Sequence, residues 1–196
     1  MIETKERILE KSFVLFLQRG YKEVSLNEII RECEISKGAF YHHFESKEEL
    51  YLEVLHRFFF SYFKKQDADY SDTSLESKLI SFAETFVGPI IEISKLINSK
   101  QMNAYYRFLF QAVNSFPEIQ QKVSKHFYIK GYYLNQIVEQ AKANGEVKAN
   151  LDSKTSARQV LASIVGVSVL EGINDIDEVE KRYHQILNEY YKLIKQ

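Results

Sequence analysis

The sequence is poor in the residues that make turns and cross-links. It holds two prolines, seven glycines, one cysteine and no tryptophan among 196 residues. So few turn-forming residues argue against an all-β protein, which needs many tight turns. The single cysteine, Cys33, excludes an internal disulfide and a zinc site built from cysteines, and it fits a reducing, cytoplasmic setting.

Long hydrophobic runs are also missing. The aromatic run "FFFSYF" at residues 58–63 is far shorter than the ~20 residues that a membrane-spanning helix needs. The first residues carry charges and resemble no signal peptide. We therefore expect a soluble, cytoplasmic chain with no membrane partner. The net charge is -1, and residues 1–66 hold as many acidic as basic side chains, so any DNA contact must use a small, placed patch.

Apolar residues recur with helical spacing throughout the chain, and no strand pattern stands out. We predict an all-α fold of about nine helices. Gly88-Pro89 is expected to kink or break one of them. The predicted helices cover about 5–19, three short segments that begin at Ser25, Ser36 and Ser46 (the last running to about Lys65), and, after a polar loop at Asp67–Ser74, about 75–97, 100–115, 118–143, 154–172 and 178–195.

The three serine-initiated segments predict a helix-turn-helix unit. Phe40 and Phe44 lie one turn apart, so they can anchor the second helix while its other side faces outward. Lysines there neutralise phosphates, hydroxyls and ring nitrogens donate to phosphate oxygens, and the Gly38 backbone and the Ala39 methyl suit a groove. An ordinary solvated helical hairpin fits the same residues. The predicted DNA-binding residues are Ser25, Ser36, Lys37, Gly38, Ala39, Tyr41, His42 and Lys47.

Residues 4–55 contain "TKERILEKSFVLFLQRGYKEVSLNEII" and "ISKGAFYHHFESKEEL", and this stretch resembles the TetR family of bacterial transcriptional regulators. The resemblance implies a helix-turn-helix DNA-binding domain at residues 1–50. It also implies a larger helical domain at residues 51–196 that binds an effector and dimerises. The turn departs from the family's usual Ala-Gly-Val, because Glu34 stands where glycine is common. Glu34 must therefore adopt a left-handed conformation or reshape the turn.

Aromatic residues crowd two later helices, in "YYRFLF" from Tyr105 and "FYIKGYY" from Phe127. Buried tyrosine hydroxyls need partners, so several inward tyrosines suit a cavity wall better than a dry core. Few charges lie among these rings, which argues against a highly charged effector. An ordinary aromatic core is the alternative. The predicted ligand-binding residues are Tyr105, Phe108, His126, Phe127, Tyr128 and Tyr132.

The last two predicted helices indicate how subunits could assemble. Residues 157–170 are apolar on more than one face and rich in small side chains, and the final helix carries an apolar stripe. Two such helices from each subunit would form a four-helix interface, as the family resemblance implies; burial within one chain is the alternative. The predicted dimer residues are Ala157, Leu161, Ala162, Gly166, Val179, Tyr183, Ile186 and Tyr190.

Together these patterns predict a homodimeric, ligand-responsive repressor that leaves a pseudo-palindromic double-stranded DNA operator when a small apolar or aromatic effector binds. We expect no enzymatic activity, because no nucleophile elbow, phosphate loop or carboxylate pair occurs. We expect no cofactor, and no metal, because the histidines lack ligand spacing. Two alternatives are a DNA-binding organiser that acts without an effector and, less well supported, a helical small-molecule enzyme or carrier.

Overall fold

The computed structural model describes residues 2–60, 74–95, 97 and 102–196. Within these ranges the chain forms nine α-helices and one π-helical turn, and its only β-type pairing is an isolated bridge. The all-α prediction is confirmed. The helices are α1 (Ile2–Arg19), α2 (Leu26–Glu32), α3 (Lys37–His43), α4 (Lys47–Val54, followed by the π-helical turn Leu55–Phe59), α5 (Leu75–Lys95), α6 (Asn103–Ser115), α7 (Pro117–Ala143), α8 (Ser153–Leu170) and α9 (Ile176–Ile194).

The boundaries follow local sequence signals. Phe116 is extended and Pro117 occupies the first turn of α7, as the pre-proline restriction requires. The predicted extension of α4 to Lys65 and the predicted loop at residues 67–73 lie outside the described residues.

Of the two alternatives predicted at Gly88-Pro89, a kink or a break, the break is wrong, because α5 runs without interruption through Pro89. Proline removes one backbone hydrogen bond, but tertiary packing can outweigh that loss. Val87, Ile90 and Ile93 are all buried on either side of the proline. Their burial holds the helix together where propensity alone would end it.

Serine hydroxyls cap the three short N-terminal helices. The hydroxyls of Ser25, Ser36 and Ser46 each accept a hydrogen bond from the amide three residues further on, at 3.2, 3.1 and 3.0 Å. Each cap satisfies one of the backbone donors that a helix leaves unpaired at its start. This explains why helices of seven or eight residues persist here.

Glu28 and Glu49 lie three residues after Ser25 and Ser46, the position from which a carboxylate can complete a capping box. Glu49 Oε2 accepts from the Glu45 amide at 2.5 Å, one residue before the cap. The Glu28 carboxylate instead pairs with Arg19, so it ties α2 to the end of α1. Within the described ranges, no helix is both long and apolar enough to cross a membrane.

Candidate DNA-binding surface and ligand groove

Helix α3 is held from behind by aromatic side chains. Phe40 and Phe44 are buried, with ring centroids 5.7 Å apart. Tyr41, the residue between them on the opposite side, is 48% exposed. A helix of only seven residues thus has one fixed face and one open face.

The open face of α3 carries the predicted contacts. Lys37, Gly38, Tyr41 and His42 are exposed, and Ala39 is half-buried. Lys37 Nζ lies 6.0 Å from the centre of the Tyr41 ring. The exposed set therefore combines one cation, one hydroxyl and one imidazole over a single helical turn, which are groups that contact phosphates and base edges.

Lys47, another predicted contact, has its ammonium bound within the protein. Lys47 Nζ donates to the carbonyl oxygens of Tyr21 at 2.8 Å and Val24 at 2.9 Å. It also lies 4.2 Å from the centre of the Tyr21 ring, and burial lowers the pKa of the Lys47 amine. The ammonium therefore fixes α4 to the loop before α2 instead of pointing free toward a phosphate. The sequence missed this because the direction of loop carbonyls leaves no pattern in it.

The turn before α3 contains a strained residue. Glu34 has φ +53°, the only positive φ at a non-glycine residue in the described chain. Its amide donates to the Arg31 carbonyl at 3.0 Å, which closes the end of α2. Of the two predicted alternatives, Glu34 therefore adopts the left-handed conformation and does not avoid it by reshaping the turn. The conformation is costly because a side chain stands where glycine has none.

A groove runs between α7 and α8 on the other side of the molecule. Its volume is about 500 Å³. Tyr128 and Tyr132 on its α7 side are 74% and 59% exposed. The residues that line the groove are Phe127, Tyr128, Gly131, Tyr132 and Asn135 from α7 and Lys154, Arg158 and Leu161 from α8.

The groove brings together only some of the predicted ligand-binding residues. Phe127, Tyr128 and Tyr132 line it, whereas Tyr105 and Phe108 are buried elsewhere in the core. The Tyr51 hydroxyl donates to the Phe108 carbonyl at 3.2 Å, so Phe108 packs toward the N-terminal helices. The expectation of one wall built from all these rings is therefore corrected: α6 faces α1 and α4, and α7 carries the groove.

His126 lies behind the groove wall and does not line it. Its ring is 6.2 Å from the Phe86 ring and 6.0 Å from the Phe127 ring, centre to centre. Burial, helped by the nearby Lys130 charge, lowers the pKa of His126 to about 4. The imidazole is therefore neutral at pH 7 and supplies no charge to a ligand.

Lys154 and Arg158 are groove residues that our sequence analysis missed. They stand one helical turn apart near the start of α8, and both are exposed. The signal was present as two cations at i and i+4, the spacing that puts side chains on one helix face. Recognising it required knowing that this face lies against the aromatic face of α7.

The predicted dimer residues divide into two groups. Ala157, Val179 and Tyr183 are buried in the chain's own core, so they are withdrawn as partner contacts. The others reach the surface to differing degrees, and the Tyr190 hydroxyl bonds to that of Ser156. The residues still available to a partner are Leu161, Ala162, Gly166, Ile186 and Tyr190.

Helix α6 joins the N-terminal helices through polar contacts. Arg107 Nη2 donates to the carbonyls of Leu17 at 2.7 Å and Gln18 at 2.6 Å, at the negative end of the α1 dipole. Gln111 Oε1 accepts from the Tyr21 amide at 2.8 Å. We call this set of bonds the α1–α6 contact.

Gly20 makes the α1–α6 contact sterically possible. Its φ is +90°, and a methyl group in its place would lie 2.7 Å from the amide atoms of Gln111. Glycine therefore serves both the left-handed end of α1 and the close approach of α6.

Helix α6 is also joined by hydrogen bonds to α8 and to the residues that follow α8. The hydroxyls of Tyr106 and Ser168 are 2.6 Å apart, and the Met102 amide donates to the Gly172 carbonyl at 2.7 Å. Helix α6 thus contacts α1 through one set of side chains and the α8 end through another. No group of three His, Cys, Asp or Glu in the described part of the chain is arranged to hold a metal ion.

Comparison with known proteins identifies relatives of both parts of the chain. The sequence model of the family described as "Bacterial regulatory proteins, tetR family" matches residues 8–54. The chain is 48% identical over 59 residues to the uncharacterized HTH-type transcriptional regulator YuxN of Bacillus subtilis, covering 30% of this chain and 20% of that protein. It is 29% identical over 194 residues to the uncharacterized HTH-type transcriptional regulator YerO of the same organism, covering 92% of this chain and 61% of that protein.

The fold as a whole also has a solved counterpart. A transcriptional regulator from Saccharomonospora viridis, crystallised in complex with choline, superimposes with a TM-score of 0.71 at 21% identity and 100% coverage of both chains. The chain spans less than two thirds of the length of both Bacillus relatives. Likeness of fold therefore extends over the whole chain, and the family model matches its N-terminal helices.

Proposed function

The chain belongs to the TetR family of bacterial regulatory proteins, and from that premise we propose that it is a DNA-binding transcriptional repressor that acts as a homodimer in the cytoplasm and responds to a small molecule. The observation that carries the proposal is α3, a capped helix anchored by Phe40 whose open face presents Lys37 and Tyr41. Residues 1–50 form the proposed DNA-binding unit, and residues 51–196 the effector and dimer unit.

Helix α3 supports DNA binding by its size and its open face. A seven-residue helix fits a major groove, and its exposed Lys37, Tyr41 and His42 can reach bases or phosphates. The capped starts of α2, α3 and α4 supply further amide donors for phosphates. A chain with balanced charge can bind DNA in this way, through placed donors and without a broad basic surface.

Operator binding tests the proposal. Genomic fragments selected by the purified protein give the operator, and a gel-shift titration gives its affinity. Tyr41→Ala should weaken that binding by about tenfold, because one base or phosphate contact is worth 1–3 kcal/mol. Glu92→Ala, an exposed change on α5, is the matched control and should leave affinity unchanged. Equal affinity for Tyr41→Ala and the control, with unaltered circular dichroism, would reject α3 as the reading helix.

Lys37→Ala should behave differently from Tyr41→Ala. Loss of one phosphate contact weakens all sequences alike and lowers the slope of log affinity against log salt by about one unit. A change in sequence preference without a change in the salt slope would assign Lys37 to bases instead.

Dimerisation is proposed through the outer faces of α8 and α9. Gly166 is the sharpest probe, because a methyl group placed there would meet no described atom within 4 Å apart from its chain neighbours and the backbone of its own helix. Gly166→Glu should therefore leave the subunit folded and, by burying a charge between subunits, produce monomers in analytical ultracentrifugation. A stable dimer of normal sedimentation would exclude this face. Glu189→Lys, an exposed change on α9, tests the neighbouring face in the same way.

An effector response is supported by a groove on α7 and α8 and by the contacts of α6. Bonds join α8 to α6 through Ser168 and α6 to α1 through Arg107. A ligand that moves α8 relative to α6 can thereby shift α1 and the spacing of the two reading helices. Helix α4, which leads out of the DNA-binding unit, is a second route. The structural relative from Saccharomonospora viridis holds choline, so this fold accommodates a small organic ligand in that protein.

The α1–α6 contact can be tested with Arg107→Met. A thermal-shift screen of apolar and aromatic metabolites identifies a ligand, which at a hundred times its dissociation constant stabilises the protein by about 2.7 kcal/mol. That ligand should weaken operator binding by a coupling of about 1–3 kcal/mol. Arg107→Met should bind the ligand equally well but lose most of the coupling. Full coupling in the variant would show that another contact transmits the response.

A further inference from the structure

The groove between α7 and α8 contains two cations, Lys154 and Arg158. No carboxylate in the described part of the chain lies within ion-pair distance of Lys154 or Arg158. Several other basic side chains are paired, as Arg57 is with Glu6 and Arg182 with Glu171. The pair at the groove is therefore a local excess of positive charge.

The nearest acidic residue in sequence is already engaged. Asp152 Oδ1 accepts from the amides of Lys154 and Thr155 at 3.1 and 3.3 Å, and Asp152 Oδ2 accepts from the Thr155 hydroxyl at 2.7 Å. These bonds, the threonine hydroxyl first, lower the pKa of the Asp152 carboxyl. Asp152 thus serves the start of α8 and leaves the ammonium of Lys154 open.

The position of Lys154 is costly without an anion. It lies in the first turn of α8, where the helix dipole is positive and cationic side chains destabilise the helix. Arg158 follows one turn later on the same side. An anion bound between the two side chains would interact with both charges and with the dipole.

The opposite wall of the groove is aromatic. Phe127, Tyr128 and Tyr132 present rings along α7, and Leu161 adds an aliphatic side chain from α8. The two tyrosines expose large apolar surfaces that a ligand would remove from water. A groove of about 500 Å³ has the size of a small-molecule site.

We propose that this groove binds a hydrophobic monocarboxylate, with its aryl or alkyl body along the α7 rings and its carboxylate between Lys154 and Arg158. The inference rests on the proposed function, since it names the chemical class of that function's effector. It also refines the sequence-based expectation of a small apolar or aromatic effector by adding one negative charge, because the cations come from α8, away from the aromatic stretches.

Gly131 on α7 supplies a test that separates binding from stability. A methyl group there would meet only the Leu161 side chain, at 3.9 Å, which is ordinary contact. Gly131→Ala should therefore raise the Tm by about 1–4 °C through helix propensity. Gly131→Leu would extend a side chain into the groove and should abolish binding while the protein stays folded.

The direct experiment compares three probes of one shape. Phenylbutyrate, phenylbutanol and phenylbutylamine are titrated into the full-length protein by calorimetry. Phenylbutyrate should bind at least about tenfold more tightly than the alcohol, because charge-assisted bonds are the stronger ones. Arg158→Gln and Lys154→Gln should each weaken the binding of phenylbutyrate by about tenfold and leave the binding of the alcohol unchanged. The control is Lys125→Gln, an exposed change on α7 outside the groove, which should alter the binding of neither probe.

The outcomes separate this inference from the proposed function. Equal binding of the three probes, a preference for the amine, or no binding of any probe would overturn the monocarboxylate inference, while intact operator binding would leave the proposed function standing. If the unmodified protein binds no operator, that result counts against the proposed function itself. If Gly131→Leu or Arg158→Gln changes the sedimentation coefficient, the groove is an interface between two copies of the chain, which also overturns the inference.

Discussion

Helices α3 and α7 both expose tyrosines, but the neighbours of those tyrosines differ. Tyr41 projects from a short helix whose other exposed groups are Lys37 and His42. Tyr128 and Tyr132 instead stand on one side of a groove whose other side carries cations. A projecting ring among polar donors suits the convex approach to a nucleic acid, whereas rings in a concave site suit a ligand that is enclosed.

The comparison shows that a residue type does not identify its partner. The burial behind the ring and the side chains beside it do so. On α3 the polar face is fixed by Phe40 from behind, and on α7 the groove is completed by another helix. Four measurements test this contrast.

The anchoring of α3 predicts the largest effect. Phe40→Ala should lower the free energy of unfolding by about 3–5 kcal/mol, because a fully buried ring is lost and a cavity remains. Tyr41→Ala, its exposed neighbour, should cost less than about 1 kcal/mol. Urea unfolding followed by circular dichroism measures both. Similar losses for the two variants would mean that α3 has no distinct buried and open faces.

The internal role of Lys47 predicts a smaller loss of stability. Lys47→Met keeps the length of the side chain but removes its hydrogen bonds to the Tyr21 and Val24 carbonyls. We expect the free energy of unfolding to fall by about 1–3 kcal/mol, since each carbonyl loses a charged donor. Lys37→Met, on the open face of α3, should change stability by less than about 0.5 kcal/mol. If Lys37→Met is the more destabilising of the two, the assignment of Lys47 is reversed.

The partly buried His126 on α7 predicts that acid destabilises the protein. The pKa of His126 is lowered to about 4 in the folded chain, below its ordinary value of about 6.5 in an unfolded one. The unfolded state therefore takes up the proton first, and stability is lost as the pH falls from about 7 to 4. Because the ring is only partly buried, we expect a loss of about 1–2 kcal/mol from this residue.

His126→Gln isolates that contribution. Its free energy of unfolding should fall less between pH 7 and pH 4 than that of the unmodified protein, when both are measured by urea titration at several pH values. Identical pH dependence of the two proteins would mean that His126 is solvated like the tyrosines on the outer side of α7.

The strained turn before α3 predicts a gain. Glu34→Gly should stabilise the protein by up to about 1 kcal/mol, because glycine adopts a φ of +53° without a side-chain penalty. Its greater freedom in the unfolded chain offsets part of this gain. Arg31→Gly, an exposed change within α2, is the opposite control and should destabilise. A loss of stability in Glu34→Gly would show that the Glu34 side chain makes a compensating interaction.

Local chemistry allowed much of the fold to be predicted. Helical spacing located the helices, and serines marked the starts of α2, α3 and α4. These features depend on residues within a few positions of each other. Pro89 is an exception, because tertiary burial on both sides of it outweighed a local helix-breaking signal.

The candidate sites were harder because they combine distant segments. The open face of α3 followed from its own register, but the groove needs residues of α7 beside residues of α8. Tyr105 and Phe108 have the same aromatic character as Phe127, yet α6 turns them toward the N-terminal helices. Lys47 likewise donates hydrogen bonds to carbonyl oxygens of a loop more than twenty residues earlier in the chain. No rule of sequence spacing predicts such a contact.

Gly20 has a consequence for how this regulator can evolve. Any side chain at position 20 would displace Gln111 and cost its bond to the Tyr21 amide, although neither residue touches the open face of α3 or the groove. A substitution at that position would therefore leave the open face of α3 and the groove intact while altering the α1–α6 contact, through which the proposed response would pass. If that proposal holds, positions 20 and 111 should change together among descendants that keep the response and independently where it has been lost.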